Sequence, residues 1–367
     1  MSMNTPVFVT RSIVPEPEEY ERYLERIFSS RHLTNHGSCS IQLENELVAR
    51  LGVPCMALCA NGTMALQLAL HVAGLAGKEV ITTPFSYVAT VSALLWEGCV
   101  PVFADIDEET LCLDPKKVSE KISPDTAGIL PVHVYGNICD VDSLGKIAGA
   151  GNLTVLYDAA QCFGSEFRGR SVLDYGDYAT CSFHATKVFH TVEGGAIVAH
   201  TPESLEDLRL LRACGHKGDT HIRLGINAKL SELHAAVGLS LLDRVTENIA
   251  GRAKVSAMYD VCLAESGAVR GLRRPALRPG LTYNYAYYPV IFDDEKTALR
   301  VVEALNKDNI FPRRYFYPAL NTLPYLPDYQ PCPVAESIAP RVLSLPLYAE
   351  LEEAVVEKIV RIIRQAL

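Results

Sequence analysis

Short apolar segments alternate with amphipathic segments along most of the chain, and this alternation limits the possible folds more than any other feature. The apolar segments predict strands at residues 55–59, 79–83, 100–106, 128–134, 153–158, 179–183 and 194–200. Single helices are predicted between the first five of these strands, at residues 64–75, 87–98, 114–121 and 140–149. Such βαβ units, with nearly continuous apolar strands, indicate a sheet covered on both faces. The sequence therefore predicts an α/β fold with a mostly parallel sheet wrapped by helices.

The pattern changes after residue 200. It predicts a helix at 202–213, a Gly-rich loop at 215–225, a long helix from 230 to about 265, and a basic joint rich in Pro and Gly at 270–280. The tail alternates again, with a helix at 295–307, a strand at 310–317 and a closing helix at 352–363. Because 367 residues exceed the size at which one core stops growing, we expect two domains. We place a large domain at 1–245 and a smaller α+β domain at 246–367.

Composition excludes several classes of function. A formal net charge of -9 and a pI near 5.6 argue against a broad nucleic-acid surface, which needs clustered Lys and Arg. The eleven cysteines are scattered without metal-ligand spacing, so we expect reduced core thiols and no metal site. No apolar run approaches the ~18 residues of a membrane span, and the N-terminal residues lack a signal-peptide pattern. We expect a cytoplasmic protein.

A lysine and an aspartate stand out as candidate reactive residues. Lys187 lies within SFHATKVFHTVEGG at 182–195, and Asp158 lies within VLYDAAQ at 155–161; both segments resemble strand ends with small residues around them. A lone lysine is usually a solvated charge, but this context indicates an amine held in a cleft. An amine that binds an aldehyde and a carboxylate that keeps a ring nitrogen protonated fit chemistry with pyridoxal phosphate. Taken alone, Asp158 equally fits a cap on the next turn.

The turn Asn61-Gly62-Thr63 follows a predicted strand and opens a predicted helix. Backbone N–H groups and the positive end of the helix would meet there, at a glycine that permits close approach, which is typical of a phosphate site. Ser182, at the end of another strand, would add a hydroxyl. The alternative is a tight turn with Thr63 as the helix cap.

Five further positions are candidates, and all but Gln161 also have a structural interpretation. Gln161 lies within reach of a ring hydroxyl, and Tyr87 in PFSYVAT would stack on a cofactor ring, although a lone aromatic is more often part of the core. His184 lies three residues before Lys187, and only this position distinguishes it from a structural histidine. Asn227 and Lys229 precede the long helix, where a helix start with a solvated charge explains them equally well.

Taken together, these segments resemble the DegT/DnrJ/EryC1/StrS family of sugar aminotransferases, which are fold type I enzymes dependent on pyridoxal phosphate. The resemblance extends over nearly the whole chain. It rests on LTNHG, NGTMALQLAL, PFSYVAT, PVFADIDEETLCLD, PVHVYGNICD, DAAQCFGS, SFHATK with EGG, GINAKLSELHAAVGL, RRYFYP and RVLSLPLY. One branch of the family replaces the lysine with histidine and performs dehydration. This chain keeps Lys187, which favours transamination.

The resemblance implies a role for each matching residue. Lys187 would bind the cofactor aldehyde covalently, Asp158 would pair with the pyridinium nitrogen, Gln161 would contact the ring oxygen, and Tyr87 would stack on the ring. Gly62, Thr63 and Ser182 would bind the phosphate. Asn227 would reach the phosphate of the neighbouring subunit's cofactor, so a homodimer is the expected active unit.

The same resemblance implies the reaction. L-glutamate would be the amino donor, and Lys187, freed as an amine, would be the general base; burial is expected to lower its pKa. The implied acceptor is a nucleotide-linked 4-keto-6-deoxyhexose, with dTDP-4-keto-6-deoxyglucose favoured and O-antigen or another glycan as the destination. Candidate contacts are the second subunit's Lys229 with Arg313 and Arg314 for the pyrophosphate, and Thr34, Asn35, His184 and Tyr315 for the sugar.

Several alternatives stay open from the sequence. Either arginine equally fits a surface ion pair. The acceptor is alternatively a C3 keto-sugar or a cyclitol ketone, because the cofactor residues carry no information about it. A non-catalytic, cofactor-binding regulator on the same fold is the remaining alternative, since fold alone does not fix function.

Overall fold

The computed structural model describes residues 5–264 and 271–367. Its α-helices are α1 (Pro17–Ser30), α2 (Ser38–Leu51), α3 (Gly62–Val72), α4 (Ala89–Trp96), α5 (Pro115–Lys121), α6 (Val141–Gly151), α7 (Pro202–Leu211), α8 (Glu232–Leu241), α9 (Val245–Ala264), α10 (Glu295–Lys307), α11 (Pro333–Ile338) and α12 (Glu353–Ala366). Many begin where a side chain accepts a hydrogen bond from the first turn, which fixes the start of the helix. These caps include Asn61, Asp114, Asp140, Thr201, Ser231 and Asp294.

The strands are mostly short. They are β1 (Val7–Phe8), β2 (Cys55–Cys59), β3 (Glu79–Thr82), β4 (Val100–Phe103), β5 (Thr126–Leu130), β6 (Thr154–Asp158), β7 (Glu166–Phe167), β8 (Arg170–Ser171), β9 (Tyr178–Ser182), β10 (Gly195–Ala199), β11 (His216–Lys217), β12 (Thr220–His221), β13 (Leu272–Arg273), β14 (Leu281–Thr282), β15 (Tyr288–Phe292), β16 (Ile310–Phe311) and β17 (Val342–Leu345).

The central sheet has seven strands in the order β2-β10-β9-β6-β5-β3-β4. Its strands run parallel except β10, which is antiparallel to both of its neighbours. Residues of β6, β9 and β10 are almost entirely buried, which explains their continuous apolar character. The predicted mostly parallel sheet wrapped by helices is confirmed. The carboxyl ends of the parallel strands and the start of β10 meet at one edge.

Three sequence predictions about individual elements are wrong. The long helix predicted from residue 230 is interrupted by a 3₁₀ turn at Leu242–Arg244, because α8 packs on α1 and α2 whereas α9 packs on α12. The loop predicted at 215–225 contains the β11–β12 hairpin, which turns through Gly218 at a φ of 58°. The strand predicted at 310–317 ends at Phe311, because Pro312 has no N–H for the ladder.

The buried apolar residues form two clusters. The larger surrounds the central sheet, and the smaller packs α9, α10 and α12 against β15 and β17. Val7 of β1 belongs to the smaller cluster, because β1 pairs in parallel with β16. The division at residue 245 stays a prediction, and the predicted helix end at 265 and joint start at 270 lie outside the described residues. In the described part of the chain, no helix is sufficiently long and apolar to cross a bilayer.

Candidate functional site

A cavity of about 550 Å³ opens at the carboxyl edge of the parallel strands. Residues that follow β2, β3, β6 and β9 line it, together with aromatic residues from the C-terminal third of the chain. This is the edge where open α/β sheets bind ligands. The cavity brings together many residues singled out from the sequence: Gly62, Thr63, Tyr87, Asp158, Gln161, Ser182, His184, Lys187 and Tyr315.

Asp158 is the last residue of β6, and its carboxylate is buried at the wall of the cavity. Its Oδ1 accepts a hydrogen bond from the Ala160 N–H at 3.1 Å, and its Oδ2 accepts one from the Thr90 hydroxyl at 2.8 Å. Burial raises the pKa of Asp158. The two hydrogen bonds and the charge of Lys187 lower it by less, so the pKa lies above its ordinary value. The local turn interaction is therefore present, and the carboxylate also faces a cavity where a cation would stabilise its ionised form.

Lys187 lies in a tight turn after β9, where its N–H donates to the His184 carbonyl at 2.9 Å. Among the described residues, no carboxylate oxygen lies within 4.0 Å of its amine. Burial lowers the pKa of Lys187, as expected, but the charges of Tyr287, Asp158, Cys181 and Tyr315 together raise it by more. In the chain by itself, the pKa therefore lies above its ordinary value, because acidic groups around the cavity outweigh desolvation.

The N-terminus of α3 points into the same cavity. Asn61, rather than Thr63, is the cap: its side chain accepts a hydrogen bond from the Met64 N–H at 2.9 Å. The first N–H groups of a helix have no partner within the helix, and those of Gly62 and Thr63 open toward the cavity that both residues line. A Cβ on Gly62 would lie 2.9 Å from the Ser182 Cβ, so the glycine allows the helix end to approach β9.

Aromatic residues form one side of the cavity. Tyr87 precedes α4 and is 58% exposed, with its ring at the cavity lining. Tyr287 and Tyr315 meet edge to face with ring centroids 5.7 Å apart, and Phe316 stacks on Tyr315 at 5.4 Å. Tyr287 and Phe316 were not singled out from the sequence, although the aromatic-rich segments YNYAYY and RRYFYP contain them.

His184 lies at the cavity with two partners that the sequence analysis missed. Its Nδ1 is 2.8 Å from the Thr186 hydroxyl, and its Nε2 is 3.7 Å from a Glu193 carboxylate oxygen. Thr186 and Glu193 both line the cavity and flank Lys187 in the same SFHATKVFHTVEGG segment. Their proximity in sequence to Lys187 is the signal that would have found them.

Six other predicted residues, Arg313 and Arg314 among them, do not line this cavity within one chain. Asn35 and Lys229 line a second cavity of about 380 Å³, whereas Thr34 and Asn227 are exposed. The Lys229 amine donates to the Asn227 side chain at 2.6 Å. Asn227 and Lys229 were expected to serve a neighbouring subunit, and that expectation stays a prediction. Thr34 and Asn35 likewise do not line the Lys187 cavity of their own chain.

The two candidate arginines differ in their surroundings. Arg314 donates to Glu295 at 2.6 Å and to the Pro340 carbonyl at 2.8 Å, and its guanidinium lies over the Tyr317 ring. The ion-pair interpretation therefore holds for Arg314, whose charge is already balanced. Arg313 lies 5.4 Å from the centroid of the Tyr315 ring and has no carboxylate within ion-pair distance in the part of the chain that the structure describes.

The donor set of the cavity fits pyridoxal phosphate. The buried Asp158 offers a carboxylate to a protonated ring nitrogen, and Lys187 offers a primary amine to an aldehyde. The helix end at Gly62 and Thr63, with the Ser182 hydroxyl, offers donors to a phosphate. Tyr87 offers a ring face, and Gln161 offers an amide whose oxygen already accepts from the Tyr135 N–H.

Comparisons with known proteins agree with this chemistry. The sequence profile of the DegT/DnrJ/EryC1/StrS aminotransferase family matches residues 16–364. The chain is 41% identical to dTDP-4-amino-4,6-dideoxy-D-glucose transaminase of Shigella dysenteriae, over 99% of this chain and 100% of the relative. It is 36% identical to the Escherichia coli protein of the same name, over 97% of each chain.

A solved structure is similar over nearly the whole chain. DesI, determined in the presence of its TDP-sugar product, superposes with a TM-score of 0.93 at 33% identity, covering 99% of this chain and 93% of that protein. The similarity thus includes both buried clusters and the cavity between the strand ends and the aromatic residues.

Proposed function

Because the chain belongs to the DegT/DnrJ/EryC1/StrS aminotransferase family, whose members depend on pyridoxal phosphate, we propose that it transfers an amino group to a nucleotide-linked keto-sugar. One structural observation carries this proposal. Lys187 and Asp158 line the same cavity without forming an ion pair, and the N-terminus of α3 lines it as well. An amine, a carboxylate and a phosphate site around one space are what transamination with this cofactor requires.

When bound, pyridoxal phosphate supplies an aldehyde and an electron-withdrawing ring. Lys187 would hold the aldehyde carbon, and its free amine would act as the general base that moves a proton at the carbon next to the transferred nitrogen. Asp158 keeps the ring nitrogen protonated. His184, beside Lys187, is the further group in position to take part in proton transfer.

The remaining cavity residues hold the cofactor in place. Gly62, Thr63 and Ser182 bind the phosphate, Tyr87 stacks on the ring, and Gln161 contacts the ring oxygen. Their support is that all five line the cavity. Ser182 and Gly62 are in close approach, so that the hydroxyl and the helix end serve one phosphate.

We propose L-glutamate as donor and dTDP-4-keto-6-deoxyglucose as acceptor, giving dTDP-4-amino-4,6-dideoxyglucose. The two transaminase relatives, which match over nearly their full length, support this acceptor over a C3 keto-sugar or a cyclitol ketone. The likeness to DesI, determined with a TDP-sugar product, also supports a nucleotide-linked acceptor. The product would serve O-antigen, lipopolysaccharide or other glycan synthesis, in the cytoplasm.

For the sugar and the pyrophosphate, we propose His184 and Tyr315, which line the cavity, and Arg313, which lies beside Tyr315. Arg314 stays a candidate that would have to leave its ion pair with Glu295. Thr34, Asn35, Asn227 and Lys229 enter the proposal through a homodimer with shared sites. The position of these four residues supports their assignment to a shared site. They lie away from the Lys187 cavity of their own chain, on or near a second cavity that is lined by basic side chains. Asn227 would bind the phosphate of the neighbouring subunit's cofactor.

A substrate panel tests the proposal directly. Purified protein loaded with pyridoxal phosphate is incubated with L-glutamate and dTDP-4-keto-6-deoxyglucose, a C3 keto-sugar nucleotide or a cyclitol ketone. We expect amination of the first substrate alone, with 2-oxoglutarate formed in equal amount. Amination of another substrate instead changes the acceptor. A visible absorbance band that does not respond to glutamate favours the non-catalytic regulator.

A further inference from the structure

Two buried hydroxyl groups connect the segment after β3 to Asp158. The Ser86 hydroxyl lies 2.8 Å from the Thr90 hydroxyl, which in turn lies 2.8 Å from Asp158 Oδ2. Thr90 is fully buried in the first turn of α4, and Ser86 is 3% exposed. Ser86, Thr90 and Asp158 all line the cavity. The contact thus joins residues 68 positions apart in the chain at the proposed catalytic carboxylate.

The number of available protons fixes the direction of this chain of hydrogen bonds. A threonine hydroxyl has one proton, and an ionised carboxylate only accepts. When Asp158 is ionised, the Thr90 proton therefore points at Oδ2. The Ser86 hydroxyl must then donate to the Thr90 oxygen, which leaves the sequence Ser86 to Thr90 to Asp158.

The same count of donors shows how much hydrogen-bonding capacity the Asp158 carboxylate has left for a ligand. Oδ1 accepts the Ala160 N–H and Oδ2 accepts the Thr90 hydroxyl, so each oxygen has one fixed protein partner. Each oxygen keeps lone-pair capacity on the cavity side. Two donors on different elements, the turn after β6 and helix α4, hold the carboxylate in one orientation.

We propose that Thr90 is a positioning residue for Asp158. The Thr90 hydroxyl orients the carboxylate and limits its basicity, and Ser86 strengthens this effect. The inference rests on the proposed function, in which Asp158 faces the ring nitrogen. A purely local role for Thr90 explains less, because its hydroxyl does not bond to its own helix but to a carboxylate on another element. Loss of the Thr90 donor makes Asp158 a stronger base, which draws the proton away from the ring nitrogen.

The test compares Thr90→Val, which keeps the shape and removes the hydroxyl, with Thr90→Ser, which keeps the donor. Thr82→Val is the matched control, because Thr82 is equally buried, donates to the Leu130 carbonyl at 2.8 Å and is not among the residues that line the cavity. Each variant is loaded with pyridoxal phosphate, and the pH midpoint of its visible absorbance band is measured, followed by kcat and KM.

We expect Thr90→Val to move the midpoint to higher pH by about one unit. In this variant the ring nitrogen of the cofactor would hold its proton less firmly. Loss of that positive charge would make the Lys187 nitrogen, when it is joined to the cofactor, more basic. The kcat should fall about tenfold with little change in the sugar KM, since the loss affects proton transfer. Thr90→Ser should restore both values, and Ser86→Ala should shift the midpoint in the same direction by less. Thr82→Val should keep the wild-type midpoint even if it is less stable.

Two outcomes separate this inference from the proposed function. If the wild-type protein binds pyridoxal phosphate without any visible band, the proposed function itself fails. If the wild-type band is present but Thr90→Val has the same midpoint as Thr82→Val, only the positioning role of Thr90 is overturned.

Discussion

At the scale of single residues, the cavity depends on two oppositely charged groups that do not pair. Lys187 and Asp158 line the same space, yet no ion pair joins them. The charge of Asp158 raises the pKa of Lys187, and the charge of Lys187 lowers the pKa of Asp158, without a direct contact between them. A direct contact would leave neither group available to a ligand. Their separation therefore preserves a place for a molecule that bonds to both.

Replacement of Lys187 by Ala should abolish turnover, with a loss of at least roughly a thousandfold, because no other lysine of the described residues lines the cavity. The variant should still bind pyridoxal phosphate without a covalent bond, since the α3 N-terminus and Ser182 are unchanged. Borohydride reduction and peptide mapping should label Lys187 in the wild type. Labelling at another lysine, or full activity in the variant, would refute the assignment. Lys146→Ala, at an exposed position on α6, is the control.

The isosteric change Asp158→Asn should leave the fold intact and lower kcat by about a hundredfold, because a neutral amide no longer favours a protonated ring nitrogen. Asparagine retains an oxygen for the Ala160 N–H, so circular dichroism and thermal unfolding should change little. The measurement is single-turnover proton transfer from glutamate. An unchanged rate would remove Asp158 from the mechanism.

Residues were predictable from the sequence where they stand next to a recognisable local signal. Lys187, Asp158 and Gly62 follow strands at positions that a single chain segment reveals. Thr90 and Tyr287 were missed because their relevance arises from tertiary contacts: Thr90 reaches Asp158 from α4, and Tyr287 reaches the cavity from the approach to β15. Tyr87 and Thr90 are three positions apart, on one face of the helix predicted at 87–98, which was the available hint.

At the scale of elements, the start of β10 sets the position of the α3 N-terminus. A Cβ on Gly195 would lie 2.5 Å from the Asn61 carbonyl oxygen and 2.9 Å from the Gly62 nitrogen, which are backbone atoms that cannot turn aside. The glycine therefore lets β10 pass directly behind the proposed phosphate site. Any side chain here would displace the helix end.

Gly195→Ala should weaken binding of pyridoxal phosphate about tenfold or more, because the displaced N–H groups no longer converge on the phosphate. Fluorescence titration of the cofactor measures this affinity. Gly149→Ala is the matched control, since a Cβ on that α6 glycine meets no atom within 4 Å and the change should keep or raise stability. Equal affinities in the two variants would contradict the role of Gly195.

A buried ion cluster joins three other elements. Glu44 of α2 is 3% exposed and accepts hydrogen bonds from Arg209 of α7 at 2.5 Å, from Arg212 at 3.2 Å and from the Leu58 N–H at 3.1 Å. Burial raises the pKa of Glu44. The His36 contact, the two arginines and the Leu58 N–H lower it by more, so that the pKa of Glu44 is about 2. The cluster therefore ties α2 and α7 to β2.

Glu44→Gln should destabilise the protein by about 3 kcal/mol at neutral pH, because the buried Arg212 and the partly exposed Arg209 lose their counter-charge. The folded-state pKa of about 2 lies below the ordinary value of 4.5, so the stabilisation is complete above pH 4.5 and is lost as the pH falls toward 2. Urea unfolding at several pH values measures this. Glu46→Gln, at an exposed position of the same helix, is the control. A difference between wild type and Glu44→Gln that stays constant with pH would contradict the linkage.

Elements with a strong periodic pattern were predicted to within a few residues. The strands at 55–59 and 153–158 are examples, because strands buried on both faces are apolar throughout. The helix at 295–307 is another, because its one buried face places apolar residues at helical spacing. The break at Leu242–Arg244 was missed because no Gly or Pro marks it. It arises from two different packing partners, α2 for α8 and α12 for α9, which a local pattern does not contain.

At the scale of the whole molecule, the proposed homodimer predicts complementation between two inactive variants. In Lys187→Ala the defect lies in a chain's own cavity, whereas in Asn227→Ala it lies, on the proposal, in the partner's. Mixed dimers would carry both defects in one site and none in the other. After denaturation and joint refolding in equal amounts, about a quarter of the wild-type activity should return. A mixture as inactive as its parents would argue that each chain forms its site alone.

The pairing of β1 with β16 determines when the smaller core is completed during synthesis. Val7 is buried against Ile310, its partner in this parallel ladder, and both belong to the cluster that contains α12. Val7 precedes Ile310 by about 300 positions in the chain, and every strand of the central sheet lies between them. During synthesis β1 therefore has no strand partner until β16 has been made. We infer that the central sheet folds first during translation and that the smaller core is completed only after β16 and α12 have emerged.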